Sequence, residues 1–208
     1  MAPLTISQNG GTLYFRQETT SSDIQYSPDN TAWTDISSNQ YPLTIQNTAP
    51  AVGSNEILTV QFTTDITFTQ ADQYFICGSQ YITFNGLKDD EERATITFNG
   101  VANCLGLIQN GTTGENGRPF ITVQNIHVAS SGTTTLATYA GWVCQSYFGK
   151  GVSDVSIDNC SSSGDISGDY AGGICGEFTG RDNGAVIITN CYSEGDISGS
   201  NAGGICGV

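Results

Sequence analysis

One unit is written twice near the end of the chain, and it constrains the fold more than any other feature. VSIDNCSSSGDISGDYAGGICGE starts at Val155 and VIITNCYSEGDISGSNAGGICGV at Val186. Asn159 and Asn190, Cys160 and Cys191, Asp165 and Asp196, and Cys175 and Cys206 therefore each stand 31 residues apart. A fixed period of this length, made of short β-like runs between glycines, predicts stacked repeats. Each unit holds three such runs, closing on G-D-I-S-G and A-G-G-I-C-G, and none has the length or composition of a helix. Three short strands per turn describe a coil of parallel β-helix. A single coil cannot bury its apolar face, whereas stacked coils share one continuous core.

Earlier coils can be traced backwards from this unit. First strands fall at Leu58-Val60-Phe62, Ile82-Phe84, Ile121-Val123, Val155-Ile157 and Val186-Ile188. Second strands fall at Ile66-Phe68 and Ile96-Phe98, then weakly near Leu136, then at Ile166 and Ile197. Third strands centre on Ile76, Ile108, Val143, Ile174 and Ile205, at spacings of 32, 35, 31 and 31 residues. The expected fold is all-β: a right-handed parallel β-helix of about five three-strand coils over residues 57–208. Alternation turns Thr83, Thr122, Ser156 and Ile187 outward. Asn125, Asn159 and Asn190 share one register, with Gly86 there in an earlier coil, and are expected to form a structural asparagine ladder along a corner.

Residues 1–52 do not share the repeat. Asn9-Gly10-Gly11 is a hairpin signal, and IQYSPDNTAWTDI reads as a hairpin with Tyr26 and Trp33 able to pack together. The segment is expected to be a small N-terminal β cap over the open end of the core, with 49–55 as linker. Between strands, the acidic run Asp89-Asp90-Glu91-Glu92 and the Gly/Asn/Thr-rich stretch from Asn110 to Arg118 read as surface loops, which often form binding surfaces.

Six basic against twenty acidic residues give a net charge of −14, which argues against nucleic-acid binding, since phosphate contact needs a basic footprint. No apolar run reaches the length of a membrane span. MAPLTISQNG does not read as a signal peptide, so synthesis in a reducing compartment is expected. Seven cysteines, an odd number, cannot all pair within the chain.

The units at Ala171 to Gly176 and Ala202 to Gly207, with the N-C-x-S-x-G-D-I-S-G runs from Asn159 and Asn190, resemble GLUG-type repeats. The likeness is partial in YAGWVC, where Trp142 replaces a glycine. QYFICGSQYITFNG adds a looser resemblance to β-helical structural and surface proteins of large DNA viruses of amoebae. The resemblance implies a repeat scaffold on a particle or cell surface, a virion included, attaching to glycan or coat protein, with no catalytic residues to carry over. The last unit stops directly after its third strand, so self-association or a larger parent chain is expected.

Candidate sites follow from the columns. Cys144, Cys175 and Cys206, with Cys77 above, form one cysteine column, and Cys160 and Cys191 a second. A line of thiols suits small apolar corner-fillers better than tetrahedral zinc, and axial disulfides are the intermediate alternative. Asp165 and Asp196, with Glu194 nearby, read as turn caps, against calcium binding or a glycoside-cleaving carboxylate pair. No cofactor is expected, calcium being the one alternative. His127 reads as an outward strand residue without a triad partner. Asn110 and Asn159 formally match glycosylation sequons. Trp33, Trp142 and Tyr147 are candidate binding aromatics. The function expected is a non-enzymatic structural or surface-presentation protein, the alternative being a polysaccharide-active β-helix enzyme.

Overall fold

The computed structural model describes residues 3–19, 23–48, 56–89 and 91–208. The linker expected at 49–55, and Asp90 of the acidic run, lie outside these. In chain order the strands are β1 (Thr5–Gln8), β2 (Gly11–Gln17), β3 (Ile24–Ser27), β4 (Thr34–Ile36), β5 (Leu43–Asn47), β6 (Leu58–Phe62), β7 (Ile66–Phe68) and β8 (Phe75–Cys77). They continue as β9 (Ile82–Asn85), β10 (Ala94–Asn99), β11 (Ile108–Gln109), β12 (Ile121–Gln124), β13 (Ile126–Ser131), β14 (Val155–Asp158), β15 (Ser161–Ser162), β16 (Val186–Thr189) and β17 (Tyr192–Ser193). Among the described residues, one 3-10 turn at Ser38–Gln40 accompanies the strands. No helix among the described residues is long and apolar enough to cross a membrane.

The chain is all-β, its sheets are mostly parallel, and the strand contacts repeat from layer to layer as in a β-solenoid. One sheet runs β16-β14-β12-β9-β6-β2-β3-β4, a second β17-β15-β13-β10-β7, and a third β1-β5-β8-β11. The third continues as single bridges joining Ile108, Cys144, Cys175 and Cys206. In the first sheet Leu58, Ile82, Ile121, Val155 and Val186 lie in one register, as the spacing predicts. Thr83, Thr122 and Ser156 face outward beside Ile187, which is 64% exposed.

Corners are made by single residues in the left-handed conformation. Asn125, Asn159 and Asn190 have φ of 58°, 50° and 54°. Asparagine tolerates this region because its short polar side chain can bond locally. One such residue turns the chain from first strand to second, so β12 and β13 are separated by Asn125 alone. A Cβ on Gly86, opposite Asn125, would stand 2.2 Å from the Asn125 carbonyl oxygen, so only glycine fits there.

Inside, Phe15, Phe62, Phe75 and Phe84 pack edge-on or tilted, and Phe98 links to Trp142 at 6.3 Å. Later coils replace these rings with Ile157, Ile166, Ile174, Cys160 and Cys175, all fully buried. The core is thus wide and aromatic early, narrow and aliphatic late. Glycine makes the narrowing physically feasible: a Cβ on Gly172 would lie 1.9 Å from the Cys175 carbonyl oxygen.

Several expectations need correction. The N-terminal segment is not confined to a cap: β2 pairs in parallel with β6, and β1 and β5 join the third sheet beside β8. It adds a layer to the five traced from Glu56 onward, because Leu13 and Phe15 fall in register with Val60 and Phe62. Its hairpin β3–β4 extends the first sheet beyond β2. Asn9-Gly10-Gly11 is a corner between two sheets rather than a hairpin, since β1 and β2 pair with different partners. Second strands also shift. Val128 of β13, not Leu136, aligns with Ile66 and Ile96, and Ser162 of β15, not Ile166, follows it. Leu136 pairs with Cys104, and Ile166 with Ile197. In β8 the inward residues are Phe75 and Cys77, leaving Ile76 half-exposed.

Candidate functional site

Only one bond of the asparagine column joins two of its members, the other two going to the strand-end residues Asn85 and Asp158. Asn125 Nδ2 donates to Asn85 Oδ1 at 2.8 Å, and Asn159 Nδ2 to Asn125 Oδ1 at 2.8 Å. Asn190 instead donates to Asp158 Oδ1 at 2.8 Å. The Thr189 hydroxyl first, and then this amide, hold the Asp158 carboxyl below its ordinary value by bonding to it. These amides are consumed by the corner.

Cys144, Cys175 and Cys206 stack as expected, but Cys77 stands two residues out of their register. Phe75 aligns with Ile108, and Ile108 with Cys144, whereas Cys77 pairs with Ile45. The shift arises because the shared Ile-Cys-Gly letters of YFICG and GGICG occupy different strand positions. Cys160 and Cys191 lie in adjacent layers, their thiols donating to the carbonyls of Asp158 at 3.3 Å and Thr189 at 3.1 Å. All seven cysteines are free thiols, five of them buried. Burial pushes the Cys104 thiol up to about 12 and raises Cys77 and Cys144 as well. Among the described residues, no three His, Cys, Asp or Glu side chains converge in a metal-holding group.

Asp165 and Asp196 are exposed, and of the two the Asp165 carboxylate acts on backbone. Asp165 Oδ1 accepts the Asp196 amide at 3.2 Å, and Asp169 Oδ1 accepts the Ser200 amide at 2.8 Å. Each carboxylate thereby caps the turn of the next layer. Glu194 is exposed nearby. Trp142 cannot serve as a binding aromatic. It is fully buried, its indole NH donating to the Gly164 carbonyl at 2.9 Å. Trp33 lies under the Arg16 guanidinium at 4.0 Å rather than against Tyr26. Tyr147 is half-buried and packs on Phe178 at 4.8 Å, within reach of Lys150.

His127 does face outward, but it has company the sequence did not reveal. Its Nδ1 lies 2.8 Å from Ser161 Oγ and its Nε2 3.2 Å from Ser163 Oγ. Arg93 donates to Ser161 Oγ at 3.1 Å and to Tyr192 Oη at 2.9 Å, strapping three layers together. The spacing of these residues carried no signal, because Arg93 arrives from a loop.

Six aromatic residues, Tyr81, Phe120, Tyr139, Tyr147, Tyr170 and Phe178, adopt positive φ. Bulky side chains seldom do so, and such strain persists where surrounding structure enforces it. Here the corner conformation projects rings from consecutive layers onto one another. Tyr81 stacks on Phe120 at 4.5 Å and 5°, and Tyr139 on Tyr170 at 5.4 Å. The resulting ridges were legible only as scattered aromatics.

One of these ridges borders a groove on the outer face of the third sheet. Two clefts of about 220 and 250 Å3 adjoin there, sharing Gln109, Gly111 and Thr112. The first is closed by Leu105, Gln145 and Tyr147; the second by Thr44, Glu115, Asn116 and Arg118. Thr44, Ile76 and Gln109 are outward neighbours on successive strands, so the groove runs along the stacking axis. Gln109 Nε2 donates to Gln145 Oε1 at 3.2 Å, and Gln145 Nε2 to the Gly106 carbonyl at 2.9 Å, fixing both amides.

Its wall, the 110–118 loop, is clamped at both ends. Asn110 is 1% exposed and grips Arg118 twice, accepting its amide at 2.6 Å and donating to its carbonyl at 3.0 Å. Lys150, also buried, donates to the Thr113 carbonyl at 2.8 Å and pairs with Asp182 at 3.4 Å. Within the loop, the Thr112 amide donates to the Glu115 carbonyl and the Glu115 amide to Thr112 Oγ1. A separate cleft of about 430 Å3, beside the N-terminal hairpin, has Tyr41 in its wall. The Tyr41 hydroxyl is buried without a partner, and burial raises its pKa. That cleft lies toward one end of the stack, between the hairpin and Thr67, Thr69 and Gln73. In comparisons with protein-family models, curated proteins and solved structures, nothing matches the chain.

Proposed function

We propose that the chain is a non-enzymatic structural or attachment protein, a right-handed parallel β-helix of GLUG-type repeats that presents a glycan-binding groove at a particle or virion surface. Right-handedness follows from the near-universal hand of parallel β connections within a sheet. One observation carries the functional reading: two contiguous clefts along the stacking axis, lined by held amides, threonine hydroxyls and a tyrosine ring. An extended polymer needs a continuous track, and sugar hydroxyls need fixed donors and acceptors with an aromatic surface beside them. Pre-fixing Gln109, Gln145 and the loop lowers the ordering cost of binding.

A glycan array, with analysis of products for every hit, tests this. Binding without cleavage is expected, with Gln109→Ala and Tyr147→Ala each weakening it and Asp165→Asn with Asp196→Asn leaving it unchanged. Cleavage abolished by that aspartate pair in a folded protein would replace this reading with the enzymatic one. Self-association is part of the same proposal, through the outer side of β16 and β17. Core positions such as Ile188 and Ile205 are only partly buried there. Light scattering should show mass rising with concentration, and a constant monomer mass would remove this part.

A further inference from the structure

We infer that the groove takes an acidic glycan, with a sugar carboxylate seated on Arg118; this rests on the glycan reading of the groove. The chain has six cations against twenty acids, so an unengaged one is conspicuous. Arg16 pairs with Glu18 and covers Trp33, Lys88 bonds Asp65, and Lys150 and Arg181 meet Asp182. Arg93 is held by Ser161 and Tyr192. Among the described residues, no ion pair, ring or side-chain hydrogen bond engages the Arg118 guanidinium, and Arg118 is one of the residues that line the groove.

Its backbone, by contrast, is held on both sides by the buried Asn110 amide. A fixed base carrying an open guanidinium is a preorganised arrangement, and the planar fork of arginine matches a carboxylate through two parallel bonds. Neighbouring Asn116 and Thr112 offer polar atoms for the hydroxyls of the same sugar. The overall charge of −14 repels an acidic polymer at long range. At physiological salt, however, such fields fade over about 8 Å, leaving contact with Arg118 to decide. Glu115 lines the same cleft and works against an anion, which gives the inference a second, opposite test.

The experiment is calorimetric titration of the whole protein with three oligosaccharide probes: an oligouronate, a neutral oligomer of equal length and a sulfated oligomer. The oligouronate should bind tightest. Arg118→Gln should weaken it at least about tenfold, the loss expected for a charge-assisted pair, and weaken neutral binding by a clearly smaller factor. Glu115→Gln should tighten it. Both side chains are exposed, so folding is preserved, which a thermal melt would verify. Tighter binding of the sulfated probe would overturn the assignment to carboxylate. Oligouronate binding indifferent to Arg118→Gln, or weakened by Glu115→Gln, would overturn the seat at Arg118 while neutral binding kept the groove reading intact. Failure of all three probes would remove both.

Discussion

Asparagine at 125, 159 and 190 serves two purposes through one residue type. Its backbone accepts positive φ at the corner, and its side chain ties that corner to the preceding layer. The shared register was legible in the sequence because Asn recurs at fixed spacing. The partners Asn85 and Asp158 were not, since neither belongs to the repeated letters. His127 shows the same limit, its environment being set by Arg93 from a distant loop. Burial first, then the positive field of Arg93, holds the His127 imidazole below its ordinary 6.5, against weaker pulls from Glu194 and Asp65. Between about 6.5 and the lower folded value, the unfolded chain binds a proton that the folded chain does not. This contribution to stability is therefore complete above about pH 6.5 and declines as pH falls through that window. His127→Gln should flatten the fall of the unfolding midpoint on acidification from about pH 7 to about pH 5. An unchanged slope would mean that His127 is not held neutral.

Among elements, first strands were legible, and second strands only in the two earliest coils, at β7 and β10. Alternating aliphatics such as Val155 and Ile157 announce a half-buried strand, whereas β15 and β17 are Ser161–Ser162 and Tyr192–Ser193, too short and polar to signal anything. His127 read as a strand residue, but the place of β13 as a second strand was missed because Asn125 turns the chain without glycine or proline. Trp142 illustrates packing hidden behind a motif. It occupies a glycine position of the repeat, and its ring lies beneath Gly164, where a Cβ would stand 2.5 Å from it. Gly164→Ala should therefore overpack the core and cost about 1–3 kcal/mol. Combined with Trp142→Leu, which vacates the space, it should cost less than the sum of the separate changes. Urea unfolding of the four proteins measures this. Strict additivity would show that the two residues do not meet.

At the scale of the molecule, the solenoid-like stacking was legible and the groove only in its loop. Repetition reveals what every layer shares, and a binding surface is what one or two layers do differently. Gln109, Gln145 and Tyr147 sit where the third-strand spacing breaks from 31 residues, while Arg118 is placed by a buried asparagine that reads in sequence as a glycosylation signal. Glycan binding along one face of this stack is the proposal on which the function rests. Mapping amide NMR shifts across the whole chain, while an oligouronate and its neutral counterpart are added, tests it most directly. Shifts concentrated at Gln109, Gly111, Thr112, Gln145 and Tyr147, with no product formed, are predicted. Shifts centred instead on the Asp165 and Asp196 turns or on the Tyr41 cleft, or none with either probe, would contradict it.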